Sequence, residues 1–115
     1  KKRIYLEYLK LFNKSLKYKF LNVPNYALNN NWMNIMIFDR PISYKVKREY
    51  IKFAEKNNIQ IRPIWKLNHL QKHFRKYERY KIINSLKLYN HSLCIPSDVN
   101  LDKKDINFIY NKLNG

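Results

Sequence analysis

The chain has 115 residues, a formal net charge of +16 at pH 7 and a single glycine. This length suits one domain with a modest core, and a hydrophobic content of 45% is that of a globular protein, not a disordered one. The only glycine is the last residue, which excludes glycine-rich loops of the Rossmann or P-loop type. The charge attracts polyanions without choosing among nucleic acid, anionic lipid and phosphate-bearing small molecules.

The totals also bear on the cellular compartment. No apolar run reaches the roughly 18 to 20 residues that a membrane span requires, and no signal-peptide pattern is present. The single cysteine, Cys94, cannot form an internal disulfide, which fits a reducing environment. We therefore expect a soluble, cytoplasmic protein with no membrane partner. A helical pattern begins at once without a capping residue, as expected of a fragment of a longer chain.

The first two predicted elements are a helix and a strand. Apolar residues recur every four positions and predict an amphipathic helix over residues 1 to about 17: Ile4, Tyr8, Phe12 and Leu16. Residues 22–31 are rich in Asn and Pro and predict a loop. The apolar run that follows predicts a buried strand from Trp32 to Asp39.

A second helix and a second strand follow. One apolar face predicts a helix from about Tyr44 to Lys56: Val46, Tyr50, Phe53 and Ala54. In residues 59–65, Ile59 and Ile61 alternate with Gln60 and Arg62, which predicts a short strand. Pro63 within it indicates a sheet edge or a strand end, and residues 66–76 are predicted to be irregular.

The last third of the chain predicts a helix, a strand and a helix. The third helix is indicated by Tyr80, Ile83, Leu86 and Tyr89, and "SLCIP" predicts a third strand that ends at Pro96. Asp102 is the predicted N-cap of a terminal helix with an apolar stripe at Ile106, Ile109, Tyr110 and Leu113. This order predicts an α/β (α+β) domain with a small sheet of about three strands covered by helices.

Few residues are arranged for catalysis or metal binding. His69 and His73 have the spacing of a helical metal pair but lack a third ligand, so no metal site is predicted. A nucleophile, base and orienting acid could be drawn from Ser92, His91 and Asp98. These residues are sequence neighbours without a nucleophile-elbow motif, so no catalytic set is predicted. Cys94 is predicted to be a small buried apolar residue.

Two stretches have residues suited to binding. "KHFRKYERYK", residues 72–81, interleaves cations with Phe and Tyr, which can contact phosphates and stack on bases. Its aromatics fall near helical spacing, which favours core positions with solvated cations. In the other stretch, a strand end at Arg62 to Trp65 runs into a loop with His69 and Gln71, and Arg and His there can hold phosphate or hydroxyl groups.

The succession of motifs resembles the C-terminal part of the DegT/DnrJ family of pyridoxal-phosphate-dependent sugar aminotransferases, over essentially all 115 residues. "NNWMNIMIFD" is similar to the family's Asn-x-Trp-x-Asn strand, and "REYIKFAEKNNIQIRPIW" to its helix and Arg-Pro-x-Trp strand. "WKLNHLQKHF" resembles a Trp-Lys-Pro-Leu-His-x-Gln loop, and "SLCIPSDVNLDKKDINFIYNKL" a Leu-Pro-Ser strand with the helix after it. The chain departs from the pattern at Leu67-Asn68, where the family has Pro-Leu, and at Asn58, where it has Gly.

The resemblance implies that residues 1–115 are the C-terminal small domain of a fold-type I enzyme. A large domain upstream would carry the cofactor lysine, so pyridoxal 5'-phosphate is expected in the full-length enzyme and not on this fragment, which alone would be inactive. The implied reaction transfers an amino group, usually from glutamate, to a keto group of a nucleotide-linked deoxysugar. The product would serve surface polysaccharide or nonulosonic acid biosynthesis, and the Arg-Pro-x-Trp motif points to the legionaminic-type branch.

The resemblance also assigns partners and a site. Its partners would be the large domain, a nucleotide-sugar substrate and a second copy in a homodimer. Arg62, Trp65, His69 and Gln71 would bind substrate, although a purely structural role stays open for each, and no catalytic residue is expected in this chain. The alternative function is a small basic nucleic-acid-binding domain; under the aminotransferase interpretation, nucleic acid is not expected as a partner.

Overall fold

A computed structural model describes residues 1–115 as four helices and one four-stranded antiparallel sheet. The helices are α1 (Lys2–Phe12), α2 (Tyr44–Lys56), α3 (Ile83–His91) and α4 (Lys103–Asn114), and the strands are β1 (Tyr18–Phe20), β2 (Asn34–Phe38), β3 (Arg62–Pro63) and β4 (Ser92–Ile95). The sheet order is β1-β2-β4-β3. The predicted fold class is confirmed, with one strand more than expected. None of the helices has the length and apolar character to cross a membrane.

The core lies between one face of the sheet and helices α1 and α4. Alternate residues of β2 are buried, and Met36 and Phe38 share this face with Leu93 and Ile95 of β4. Aromatic rings fill much of the layer; the rings of Phe12 and Phe20 stack with their centroids 5.4 Å apart. Burial of each such side chain contributes about 1.5 to 3 kcal/mol, so this layer is the main source of stability.

Local capping sets the starts of α2 and α4. The Ser43 hydroxyl accepts a hydrogen bond from the Val46 amide at 3.2 Å. Asp102 accepts from the Asp105 amide at 2.8 Å, and the Asp105 carboxylate accepts from the Asp102 amide at 3.0 Å. This capping box satisfies two amides that the helix cannot pair. The predicted bounds of α2 and the predicted N-cap of α4 are confirmed.

The prediction of a first helix as far as residue 17 is wrong, because α1 ends at Phe12 and Leu16 is 97% exposed. The Ser15 hydroxyl accepts from the amides of Lys17 and Tyr18, both at 3.2 Å. A serine side chain that pairs with nearby amides offers the backbone an alternative to helix. The chain therefore turns into β1, a strand that the sequence did not predict.

The strand predicted over residues 59–65 is reduced to Arg62 and Pro63, which pair with β4. Ile59 and Ile61 are buried as predicted, each 3% exposed, but outside the ladder. The edge position predicted from Pro63 is confirmed, because β3 is the last strand in the sheet order. Proline has no backbone N–H to donate to a further strand. Asn58 precedes this stretch with φ +58°, the left-handed conformation that a glycine would adopt readily.

The prediction that the aromatic residues of residues 72–81 belong to the core is wrong. Phe74, Tyr77 and Tyr80 are 44%, 59% and 79% exposed, and no residue from 62 to 92 joins the hydrophobic core. The path here is two short 3-10 turns, Asn68–Leu70 and Lys72–Phe74, followed by irregular backbone as far as α3. Without a continuous helix, the spacing of the rings no longer places them on one buried face.

Candidate ligand-binding hollow

An open hollow of about 550 Å³ lies where β2 begins and β4 ends, beside the edge strand β3. It combines aromatic, cationic and hydroxyl side chains; its lining includes Trp32, Met33, Arg62, Trp65, Ser97 and Asp98. Concave sites of this size with a few polar groups are typical of small-molecule binding. The sheet positions the hollow, because three segments that are distant in sequence, residues 32–33, 60–65 and 94–98, form its walls together with Lys1.

Lys1 and Arg62 are the two cationic residues that line the hollow, and Lys1 is bonded to the Ser97 carbonyl. Arg62 is the cation without a partner in the chain. It pairs in register with Cys94 at the sheet edge, and its side chain is exposed. The guanidinium makes no hydrogen bond or ion pair within the chain, so its donors are free. A free guanidinium suits the bidentate binding of a phosphate or carboxylate.

Trp32 and Trp65 form an exposed aromatic pair in the same hollow. Their ring centroids are 5.5 Å apart with an interplanar angle of 68°, an edge-to-face contact. Trp32 is 51% exposed and Trp65 is 67% exposed, so the two rings leave aromatic surface open to solvent. Such surface can stack against a planar ring or the apolar face of a sugar.

The rim that follows β4 is fastened to α1. Lys1 donates a hydrogen bond from Nζ to the carbonyl of Ser97, and Arg3 donates to the carbonyl of Leu101 at 2.6 Å. The Asp98 carboxylate accepts from the Asn100 amide at 2.8 Å. These contacts fix the backbone that carries Ser97 and Asp98 into the hollow.

His69 and Gln71 lie in the neighbouring loop and do not line this hollow. Gln71 donates from its side-chain amide to the Lys66 carbonyl at 2.9 Å and to Asn68 Oδ1 at 3.2 Å, which ties the loop together. His69 is half-buried, and its Nε2 is enclosed without a hydrogen-bond partner. Leu67, which replaces the proline of the motif, has φ −59°, a value that proline itself would have.

The structure therefore brings two of the four predicted substrate residues together. Arg62 and Trp65 share the hollow, whereas His69 and Gln71 shape the adjacent loop. The role of all four in binding a substrate stays a prediction. Trp32 was missed as a site residue, although the Asn-x-Trp motif that contains it was visible in the sequence.

A second hollow, of about 370 Å³, shares Pro63 and Trp65 with the first and contains a buried amine. Lys47, only 8% exposed, donates from Nζ to the Tyr89 carbonyl and lies 4.9 Å from the centroid of the Tyr89 ring. Burial lowers the pKa of Lys47. No feature of the sequence distinguished this lysine from the many exposed ones.

The other residues considered as nucleophiles or bases, Cys94, Ser92 and His91, are not arranged for catalysis. Burial raises the pKa of the Cys94 thiol, which keeps it protonated and unreactive. His91 Nδ1 lies 3.0 Å from the Phe38 carbonyl, and the Ser92 hydroxyl is buried without any partner. Ser92 and His91 therefore do not form a nucleophile and base pair.

The family comparison matches nearly the whole chain. The sequence model of the DegT/DnrJ/EryC1/StrS aminotransferase family matches residues 1–114. The chain belongs to this family. The resemblance inferred from the motifs is thereby confirmed. No curated protein sequence matches the chain.

Solved structures of low sequence identity share the fold of this DegT/DnrJ/EryC1/StrS family member. DesI, solved in the presence of its TDP-sugar product, has a TM-score of 0.77 at 13% identity over 98% of this chain. A Bacillus cereus structure described as a PLP-dependent aminotransferase has a TM-score of 0.75 at 18% sequence identity over 99% of this chain. Helicobacter pylori PseC, an aminotransferase involved in pseudoaminic acid biosynthesis, has a TM-score of 0.72 at 13% sequence identity over 97% of this chain. The chain spans 29%, 31% and 30% of the lengths of these three chains.

Proposed function

We propose that residues 1–115 are the C-terminal small domain of a pyridoxal-phosphate-dependent aminotransferase that converts a nucleotide-linked keto-deoxysugar into an amino sugar. The observation that carries this proposal is the family match over residues 1–114 of a chain that spans less than a third of the structures it resembles. A large domain upstream would carry the cofactor lysine. Alone, the 115 residues would be inactive.

The residues of this chain do not make a complete site for pyridoxal phosphate. When bound, that cofactor supplies the electron sink for amino transfer. It requires an amine, an acid beside the ring nitrogen and a cradle for the phosphate. Lys47 is a buried amine, but Arg48 and Lys66 line its hollow without a carboxylate, and the only glycine is Gly115. We therefore assign the cofactor to the upstream domain.

The task proposed for this domain is to hold the substrate. Arg62 would pair with the phosphates of the sugar nucleotide, because its guanidinium is exposed and unpaired. Trp65 would pack on the flat face of the sugar or base. His69 has an unsatisfied Nε2 that could accept or donate a hydrogen bond if the loop approached the substrate, and Gln71 would hold that loop in shape.

The other partners follow from this assignment. The enzyme would act as a cytoplasmic homodimer, use glutamate as amino donor, and supply an amino sugar to surface polysaccharide or nonulosonic acid synthesis. The Arg62-Pro63-x-Trp65 sequence supports the legionaminic-type branch within that class.

The parent reading frame and its product test this proposal. We expect an upstream region of about 250 residues with a cofactor lysine, the size of a large domain. The purified parent should show cofactor absorbance and transaminase turnover with a keto sugar nucleotide and glutamate. Absence of the upstream lysine, or a stable aldimine on residues 1–115 alone, would refute the assignment.

A substitution tests the part played by Arg62. In the parent enzyme, Arg62→Gln should raise KM for the sugar nucleotide about tenfold or more, as expected when a charge-assisted hydrogen bond is lost. The matched control is Arg40→Gln, which removes an exposed arginine that follows the other end of β2 and does not line the hollow. Equal KM values for the two variants would remove Arg62 from the site.

A further inference from the structure

The second hollow carries positive charge without any negative charge to balance it. Its lining has three cations and no carboxylate; the cations are Lys47, Arg48 and Lys66. Both ion pairs of the chain lie elsewhere, so none of these cations has an acidic partner. A concave site with this charge attracts an anion.

The Lys47 ammonium has hydrogen-bond donors to spare. It has three N–H groups, and the Tyr89 carbonyl, in the last turn of α3, accepts one of them. The Tyr89 ring lies 4.9 Å from Nζ, and no other group of the chain accepts a hydrogen bond from this amine. Only 8% of Lys47 is exposed, and a buried charge with unsatisfied donors is costly unless an acceptor meets it. The hollow provides the space for such an acceptor.

The rest of the second hollow is aromatic and apolar. Trp65 and Tyr44 are 67% and 75% exposed, so their rings leave surface open to solvent. The Arg48 guanidinium lies 5.9 Å from the centroid of the Tyr44 ring, which places a cation and a ring together. Such rings can pack against a planar organic group. Three apolar side chains complete the lining: Ile51, Pro63 and Ile64.

Hydrogen bonds hold the backbone around the second hollow. The Ile42 amide donates to the Asn90 carbonyl at 3.1 Å, which joins the last turn of α3 to the residues before α2. The Gln71 side chain donates to the Lys66 carbonyl at 2.9 Å, and Pro63 lies in the ladder with β4. A site held in this way loses little conformational entropy when it binds a ligand.

We propose that the second hollow binds a small phosphate monoester whose organic group is planar. Lys47 donates to a phosphate oxygen, Arg48 and Lys66 pair with the same group, and the planar group packs on Trp65. Three cations suit the nearly double negative charge of a phosphate monoester better than the single charge of a carboxylate. The inference goes beyond the proposed function, because the substrate residue Arg62 lines the first hollow and not this one.

Isothermal titration calorimetry of the dialysed parent polypeptide with phenyl phosphate, at constant ionic strength, tests this site. We expect saturable binding. Inorganic phosphate should bind at least about fivefold more weakly, because it has no ring to pack. Phenol should bind at least about tenfold more weakly, because it cannot form charge-assisted hydrogen bonds.

Substitutions in the parent locate the binding. Lys47→Met should weaken the binding of phenyl phosphate by about tenfold or more. Because Lys47 also bonds the end of α3, the double variant Arg48→Gln with Lys66→Gln repeats the test with exposed residues, and it should lose about tenfold or more. The matched control is Lys45→Gln with Lys52→Gln, which removes two exposed cations of α2 that do not line the hollow. It should change the affinity by less than about twofold, because exposed charges outside the site are screened.

Several results would overturn the proposal. Equal weakening by the two double variants would show that net charge alone attracts the anion, and titration without saturation would show the same. A loss in Arg62→Gln as large as in the Arg48 and Lys66 double variant would move the ligand to the first hollow. Equal affinities for phenyl phosphate and inorganic phosphate would refute the planar group. Cofactor absorbance of the parent tests the proposed function separately and has no bearing on these affinities.

Discussion

Tyr8 carries a hydroxyl that the fold buries without a partner, and its removal is expected to stabilise the protein. The side chain is fully buried and its oxygen makes no hydrogen bond. An unsatisfied buried hydroxyl costs about 1 to 3 kcal/mol, whereas the ring packs against Phe12 and Phe20. Tyr8→Phe keeps the ring and its contacts. We expect the free energy of unfolding to rise by at least about 1 kcal/mol, or roughly 4 °C in Tm.

Tyr5→Phe is the matched control on the same helix. Tyr5 donates its hydroxyl hydrogen to Asn22 Oδ1 at 2.8 Å, so its removal should lower the free energy of unfolding by about 1 kcal/mol. Urea unfolding followed by circular dichroism measures both variants at pH 7. Destabilisation by Tyr8→Phe as large as that by Tyr5→Phe would show that the Tyr8 hydroxyl has a partner, and the reasoning would be wrong.

Because of the Tyr8 hydroxyl, we expect the difference in stability between wild type and Tyr8→Phe to depend on pH in the alkaline range. Burial, with a smaller contribution from the charge of Asp105, raises the pKa of Tyr8 above its ordinary value near 10. The folded state thus keeps a proton that the unfolded state releases, so stability falls as pH rises above 10, by up to about 1.4 kcal/mol per pH unit. Tyr8→Phe removes this loss. Its advantage over wild type should widen between pH 10 and the limit of reversible unfolding, and a constant difference would contradict the assignment.

Three other predictions concern residues at or near the ends of helices and their effect on stability, one of them as a function of pH. Ser43→Ala should lower the free energy of unfolding by about 1 kcal/mol through loss of the α2 cap, measured by urea unfolding. Asn58→Gly should raise it by a few tenths to about 1 kcal/mol because φ is +58°, while Asn57→Gly, at φ −101°, should not. Amide hydrogen bonds lower the pKa of Asp102, chiefly that from Asp105, so the capping contribution is present at neutral pH and lost as pH falls through that pKa. Asp102→Asn should therefore reduce the acid dependence of Tm, and an unchanged profile would exclude this contribution.

Helices and caps that depend on residues a few positions apart were predictable from the sequence. The end of α1 and the presence of β1 were not, because they depend on competing hydrogen bonds or on distant strands. Helix α2 and the cap of α4 follow from apolar spacing and one capping residue, which act within a few positions. The end of α1 depends on the Ser15 hydroxyl, which outweighs a favourable apolar spacing that includes Leu16. Strand β1 exists because β2 is there to pair with it, a relation that no local pattern contains.

The candidate site shows the same division. Arg62 and Trp65 were both predicted as substrate residues because one short motif holds both, and the structure places them in one hollow. Trp32 joins them through the pairing of β2, β4 and β3, which brings together residues that are far apart in sequence. The rings of residues 72–81 were misplaced because an aromatic residue in a core and one on an exposed loop have the same appearance in a sequence.

The contact between the first and last helices has a consequence for synthesis of the chain. Arg3 bonds the Leu101 carbonyl, Ser15 bonds Asn114 at 2.7 Å, and α4 supplies Ile106 and Ile109 to the core. While α4 is still inside the ribosome, α1 and the sheet have an open apolar face. The nascent domain is then a target for chaperones, and we expect a messenger truncated before the codon for Lys103 to yield a product that aggregates.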